Sequence, residues 1–406
     1  MQICAAMLQN STRFGKLLVS CSPGGFAAPR RRHLPVVRVE IGVPSGLECP
    51  VLLKMGFSPP CEPANCEIKR TPDALDHRML TDRLGRQVNN LRVSVTDRCN
   101  FRCTYCMPEE GLDWLPKGDI LSFEEITRLA RIAADLGITK VRLTGGEPLL
   151  RKGLPVLIEM LLAISGVEDL SLTTNGLLLG EQSKALSEAG LRRVNVSLDS
   201  LDEKTFVRLA RRGSLTKVLD GLATAKRYFE GPIKLNAVVL RGINDRELAR
   251  FAELARGHKF EVRFIEFMPL DAQGRWSRQT MMSGDEIRKE IESSYPLKPD
   301  PNCSPQSPSR DFVFADGTPG KIGFINSVSH PFCDSCNRIR LTADGKLRTC
   351  LFSIRETDLL TLIRGNATDA EIGQLIRRSV WDKEPGHKIN DPDFVPASRS
   401  MSQIGG

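Results

Sequence analysis

Six of the twelve cysteines in this 406-residue chain fall into two tight groups. Cys99, Cys103 and Cys106 share the stretch Cys-Asn-Phe-Arg-Cys-Thr-Tyr-Cys, while Cys333 and Cys336 are followed by Cys350 after a gap of thirteen residues. Three thiolates on a short loop can bind one metal centre without completing four-coordination. A cubane iron–sulfur cluster held by three cysteines keeps one iron open to an outside ligand, unlike the four-cysteine ferredoxin arrangement. Zinc completed by a remote His or Cys is the other chemistry such a set supports. For the second set, His330 lies three residues before Cys333 and would complete a Cys3His site. Paired groups of three, without a secretory signal, read as metal ligands in a reducing compartment.

The cations form the second pattern. Arg92, Lys140, Arg142, Lys234 and Arg263 fall within or beside apolar, β-branched runs, where charge is normally depleted. Lys140 and Arg142 are two apart and share a face. Arg338 and Arg340 repeat that spacing beside the second cysteine group. Singly, such residues snorkel at a surface. Converging inside a barrel, they would repel one another unless an anion lay between them, and a polyphosphate matches their donors. Net charge is +8; residues 79–406 hold 47 Lys and Arg against 43 Asp and Glu, so their bulk charge gives no case for a nucleic-acid partner. No apolar stretch reaches the length of a bilayer span.

Strand–helix alternation positions these groups. Strand patterns fall at Leu91–Thr96, Lys140–Thr144, Asp169–Thr174, Arg193–Leu198, Ile233–Leu240 and Glu261–Phe267. Helical periods fall at Phe123–Leu136, Leu154–Ile164, Gln182–Ala189, Leu215–Tyr228 and Arg246–Ala255. Ser122 and Glu125 form a capping box for the first helix. Six units, with no P-loop and no strand-linked GxGxxG, predict an α/β fold: a partial, open (β/α)6 barrel of the TIM type. The cysteine loop follows the first strand, and Thr144-Gly145-Gly146-Glu147-Pro148 ends the second. Thr173 to Gly176, Asn195 to Asp199, Lys234 to Asn236 and Arg263 to Pro269 put polar groups at later strand ends. Turn chemistry explains any one of these; together they suggest one reactive rim. Glycines at the second strand end suit close approach of the backbone to a ligand.

The CxxxCxxC loop, Tyr105 and the Gly-Gly-Glu-Pro turn resemble the radical S-adenosylmethionine (SAM) superfamily. With Cys336-Asn-Arg-Ile-Arg340, Arg263-Phe-Ile-Glu-Phe-Met268 and the Gly405-Gly406 tail, residues 79–406 resemble one of its families, the GTP 3′,8-cyclases of molybdenum cofactor biosynthesis. The resemblance implies a lyase with two [4Fe-4S] clusters. Cys99, Cys103 and Cys106 would hold the SAM-binding cluster, and Cys333, Cys336 and Cys350 a substrate-binding one. It also implies SAM contacts at Tyr105, Gly146, Ser197 and Met268, and GTP contacts at Arg92, Arg142, Thr173, Lys234, Arg338 and Arg340. Lys140 and Arg263 would complete the substrate pocket, and Gly405 and Gly406 would form a catalytic tail. The implied reaction takes the ribose 3′ hydrogen of GTP with a 5′-deoxyadenosyl radical and joins C3′ to C8. An electron donor and cyclic pyranopterin monophosphate synthase, the next enzyme, are the implied partners. Residue chemistry alone reaches two open metal sites and an anion pocket; GTP comes from the resemblance.

The expected organisation is an unstructured extension over 1–78, a core barrel over 79–300, and a C-terminal region over 301–406. The extension is acid-free before Glu40 and carries Arg30-Arg31-Arg32. It reads as a transit peptide to the mitochondrial matrix or as residues upstream of a true start at Met79; the second reading, with a cytoplasmic enzyme, is preferred. Neither nucleic acid nor membrane is expected as a partner, and the chain is expected as monomer or homodimer. The rival enzyme is another radical SAM protein with an auxiliary cluster, such as a peptide-modifying one, with Cys303 as an added ligand. A zinc-stabilised RNA-binding module is the rival from another class, and only three Trp and three Tyr are present to stack bases.

Overall fold

The alternation of buried and half-buried residues along each central strand sets the architecture. In β1 (Asn90–Ser94), Leu91 and Val93 are buried while Asn90 and Arg92 are only half-buried, and in β2 (Lys140–Thr144) Val141 and Leu143 alternate with Lys140 and Arg142. With β3 (Asp169–Thr174), β4 (Arg193–Ser197), β5 (Ile233–Val239) and β6 (Phe260–Glu266), they form six consecutive parallel strands. A period of two therefore sends one set of side chains toward the helices and the other toward the concave face. The structure, a computed structural model, describes residues 79–257, 260–270, 274–397 and 399–405. The expected extension over 1–78 and Gly406 lie outside the described residues.

Helices α1 (Phe123–Asp135), α2 (Leu154–Leu162), α3 (Leu179–Glu188), α4 (Glu203–Ala210), α5 (Leu215–Ala225) and α6 (Leu248–Ala255) cross between the strands. The expected capping box starts α1: Ser122 Oγ accepts the Glu125 N–H at 3.1 Å and Glu125 Oε2 accepts the Ser122 N–H at 2.7 Å. Helix α4 was not among the expected elements; its eight residues carry too few turns to show a period.

The C-terminal region contributes β7 (Leu297–Pro299), β8 (Arg310–Phe314), β9 (Lys321–Ile325), β10 (Arg338–Leu341), β11 (Lys346–Arg348) and β12 (Thr357–Asp358). It is not set apart at residue 300, because its strands join both sides of the core in one twelve-stranded sheet. Strand β9 pairs parallel with β6, and β10 pairs parallel with β1. Eight parallel strands thus curve round the concave face, two more than the alternation showed. The sheet stays open for a local reason: the outer ladder of β9 is taken by antiparallel β8, and that of β10 by antiparallel β11. Residues 326–337 run from β9 to β10, from one side of the core to the other, and carry Cys333 and Cys336.

Candidate active site

The first cysteine loop is packed onto the end of β2. A Cβ on Gly145 (φ 155°) would lie 2.5 Å from the Thr96 carbonyl oxygen, and one on Gly146 would lie 2.3 Å from that of Arg98. The Gly146 N–H donates to the Thr96 carbonyl at 2.8 Å. The glycines therefore make room for the cysteine loop's own backbone, where the sequence reading gave that space to a ligand. Cys99 Sγ accepts the Phe101 N–H at 3.4 Å and an Asn175 Nδ2–H at 3.9 Å. Burial pushes the Cys99 thiol up to about 11 and the Cys106 thiol to about 12, and holds Cys103 well above its ordinary value. These thiols give up their protons only to a metal centre that replaces them.

The second set is anchored differently. Arg86, buried against Asp82, donates to the carbonyls of Cys333 (2.9 Å), Pro385 (2.8 Å) and Glu384 (2.6 Å). Lys383 donates to the Arg338 and Thr349 carbonyls, just outside Cys336 and Cys350. Burial works against the Cys336 thiolate, yet Arg338 and Lys383 outweigh it and bring the thiol down to about 6. Arg338 Nη2 stands 3.7 Å from that sulfur. His330 is exposed, with Nδ1 3.7 Å from Asp285, and does not line the cavity; His387 does, beside Cys333. Cys303 is held in its own loop by the Asp311 N–H at 3.5 Å and the Ser309 carbonyl at 3.4 Å, and is also outside the lining.

The donor sets fit three-cysteine clusters. All six cysteines are free thiols and all six line one cavity of about 590 Å³. Among the described residues, no three His, Cys, Asp or Glu side chains converge closely enough to hold a single metal ion. Zinc needs its sulfurs within about 2.3 Å of one point. A cubane offers its irons at separate corners, so its thiolates need not converge.

Strand register assembles the cations. Arg340, Arg92, Arg142, Ser171 and Arg193 stand side by side on β10, β1, β2, β3 and β4. Arg92 is held well below its ordinary value by burial and by Arg340, Arg142 and Arg338. Burial and like charges also bring Arg142 down to about 10 and Arg340 to about 9. Arg92, Arg142, Arg338 and Arg340 have no carboxylate partner among the described residues, and Arg142 Nε donates only to Ser171 Oγ at 3.1 Å. On the other side, Lys234 is 2.6 Å from Glu261, and Arg263 is 3.6 Å from both Glu261 and Asp311. The expected mutual repulsion is thus neutralised at Lys234 and Arg263 and left uncompensated round Arg92. Buried like charges are costly unless an anion joins them.

The remaining expected residues gather in the same cavity. Lys140, Thr173, Ser197, Met268, Tyr105 and Gly146 all line it. Tyr105 donates to Asp199 Oδ2 at 2.5 Å, and Asp199 Oδ1 accepts the Val238 N–H at 2.9 Å. Five buried polar atoms on its lining residues lack partners: Asn90 Oδ1, Asn236 Oδ1, Arg263 Nε, Ser327 Oγ and His387 Nδ1. Gly405 sits between the ends of β1 and β2, its Cβ position 3.1 Å from Thr144 Cγ2 and 3.2 Å from Ser94 Cβ, and its carbonyl accepts from Arg340. Arg86, Lys383 and His387 were missed and carried no local signal; Asp199 was among the polar groups expected at the strand ends, without a role of its own.

Residues 93–255 match the Radical SAM superfamily and residues 260–389 match Molybdenum Cofactor Synthesis C. The fold is similar to that of Streptococcus suis SuiB bound to precursor peptide SuiA, at a TM-score of 0.51, 13% identity and coverage of 79% of this chain and 76% of that one. Fold, cysteine loop and matches define a radical SAM enzyme, which implies SAM and one [4Fe-4S] cluster. The chain is 46% identical over 340 residues to a GTP 3′,8-cyclase of Streptomyces coelicolor, covering 84% of this chain and all of that one. It is 48% identical over 334 residues to one from Mycolicibacterium smegmatis, covering 80% and 92%. The chain belongs to the GTP 3′,8-cyclase family.

Proposed function

We propose that this enzyme converts GTP, with SAM and a reductant, to (8S)-3′,8-cyclo-7,8-dihydroguanosine 5′-triphosphate, the first step of molybdenum cofactor biosynthesis. The observation that carries this reading is that both cysteine sets line one cavity with Arg92, Arg142, Arg338 and Arg340, none of which has a carboxylate partner among the described residues. Cys99, Cys103 and Cys106 would hold the SAM-binding cluster, and Cys333, Cys336 and Cys350 a second cluster against the guanine. When bound, the first cluster and SAM supply the radical chemistry that takes the ribose 3′ hydrogen. The chain's own contribution is position: Arg92, Arg142, Arg338 and Arg340 neutralise and orient the triphosphate, with Lys140, Lys234, Arg263 and Thr173 beside them. Tyr105, held by Asp199, lies with Gly146, Ser197 and Met268 along the SAM side. Residues beyond the reacting atoms thereby fix C3′ and C8 relative to one another. The Gly405 carbonyl accepts from Arg340, which brings the double-glycine tail to one member of the cation row. The product would pass to cyclic pyranopterin monophosphate synthase, and a cytoplasmic location is the accompanying reading.

The test is 5′-deoxyadenosine formation from SAM by reconstituted, reduced protein without oxygen. Strong stimulation by GTP and none by ATP is expected. Formation indifferent to GTP overturns the substrate and leaves the radical SAM chemistry. No 5′-deoxyadenosine from iron-loaded protein overturns both.

A further inference from the structure

Behind the first cysteine loop lies a second cavity of about 330 Å³. Tyr105 lines both cavities, so the loop is the wall between them. The floor of the second is apolar, with Leu209, Leu240 and Phe267 buried in one cluster. Its rim carries Arg208, Arg211, Arg241 and Arg275, and no acidic residue is part of its lining. Arg211 and Arg241 have carboxylates at 3.8 Å (Glu109) and 2.7 Å (Glu286). Arg208 and Arg275 are exposed with no ion pair among the described residues. The rim is fastened to the cysteine loop: the Arg102 and Thr104 N–H groups donate to the Ala210 and Leu209 carbonyls, both at 2.9 Å. A Cβ on the neighbouring Gly213 would lie 2.3 Å from the Phe101 ring.

We propose that this face docks an acidic one-electron donor protein that reduces the cluster on Cys99, Cys103 and Cys106. The proposal rests on the reading of those cysteines as cluster ligands. On that reading SAM and substrate take the opposite side of the loop, and an electron entering here has only the loop, at Thr104 and Tyr105, between it and the cysteines. In the step, the donor loses one electron and the cluster gains it, with no bond made or broken. An apolar centre inside a basic rim is the anatomy of a small, transient, electrostatically steered interface. A free small anion would use the arginines but would need neither the apolar floor nor the wall shared with the cysteine loop.

The test compares wild type with Arg208→Glu/Arg275→Glu and with Arg131→Glu/Arg192→Glu, which makes the same charge change elsewhere on the surface. The probe is an acidic plant-type [2Fe-2S] ferredoxin, with two readouts taken without oxygen. One is its binding to the reconstituted enzyme by calorimetry; the other is the stopped-flow rate of cluster reduction by its reduced form. Arg208→Glu/Arg275→Glu is expected to weaken binding and slow reduction by about tenfold or more, with a steep loss in wild type between about 0.05 and 0.5 M salt. Reduction by dithionite is expected to be unchanged, and the control pair to stay within about twofold of wild type. Unchanged ferredoxin binding and rate in the variant overturn the proposal, as does an equal loss with dithionite. Binding of inorganic pyrophosphate that needs Arg208 and Arg275, without binding of ferredoxin, overturns it in favour of a small-anion site. Protein that dithionite cannot reduce refutes the cluster reading instead, and ferredoxin binding by that same protein still decides the docking face.

Discussion

Glu266, the last residue of β6, is 1% exposed and has no ion pair among the described residues. Its Oε2 accepts the N–H groups of Val328 at 2.7 Å and Ser329 at 2.8 Å. Its Oε1 accepts the Gly284 N–H at 2.9 Å, at the start of α7 (Gly284–Glu292), and the Ser329 hydroxyl. Four donors thus converge on one buried carboxylate, which ties the segment leading to Cys333 to the end of the sixth strand. Glu266→Gln keeps the shape and removes one acceptor. The best placement turns the new amide NH2 toward Gly284 and Ser329, whose hydroxyl can rotate and accept; the Gly284 N–H is then orphaned. An orphaned buried donor costs about 1–3 kcal/mol, and the other bonds lose their charge assistance. Relief from burying a charge offsets part of this. The net expected loss is about 3 kcal/mol. It is to be read from urea unfolding of the anaerobic holoprotein, with iron content measured alongside. Glu266→Asp, which keeps the charge but draws it back by one methylene, is expected to fall between Gln and wild type. A Gln variant within about 1 kcal/mol of wild type, with full iron content, would refute the idea that this carboxylate holds the second cysteine segment.

Further outcomes follow from the rim. Gly146→Ala drives a Cβ against two backbone carbonyls and is expected to cost about 3 kcal/mol and to empty the first cysteine set; iron bound in full would count against it. Glu147 is raised by burial from 4.5 to about 7, against donors at Thr174, Asn175 and Leu149. Its folded form holds a proton that its unfolded form releases, so stability falls as pH rises from about 4.5 through 7, by as much as about 3 kcal/mol. Urea midpoints of Glu147→Gln should lack that slope; parallel slopes in the two proteins would dismiss it. Arg92→Met removes an unpaired cation, so unfolding stability should hold or rise while the apparent GTP affinity falls about tenfold to a hundredfold. Loss of stability without loss of affinity would contradict an anion site. Deleting Gly405 and Gly406 should cut turnover and leave both cysteine sets loaded, and loss of iron in that truncation would show the tail to be structural.

The core strands and the cysteine sets could be read from the chain because their signals are local. Period two fixes β2 and β3 to the residue, and a capping box fixes the start of α1. What the sequence left unread is non-local. Strands β9 and β10 are short, carry Lys321, Arg338 and Arg340, and acquire meaning only when they find β6 and β1. Arg86 reaches the second cysteine loop across some 250 residues of chain. Glu261 was available to reasoning, two positions before Arg263 and so on its face, but its partner Lys234 lies on a neighbouring strand. That His387, not the expected His330, lies beside Cys333 likewise depends on chain folding that spacing does not encode.

The bore of the cavity follows from how the sheet fails to close. Seven of the eight gaps round the concave face are backbone ladders, each held near 4.8 Å by hydrogen bonding. The eighth, from β9 to β10, has no backbone ladder among the described residues and is crossed by residues 326–337, with the stretch from Gly386 to Asn390 packed against them. In a closed barrel, strand number and shear dictate the radius. Here the radius has one adjustable stave, and its gauge is the length of that segment together with whatever its cysteines grip. Lengthening or shortening 326–337 would widen or narrow the chamber while every strand kept its register. A single loop can therefore retune what this scaffold encloses without redesigning the sheet that encloses it.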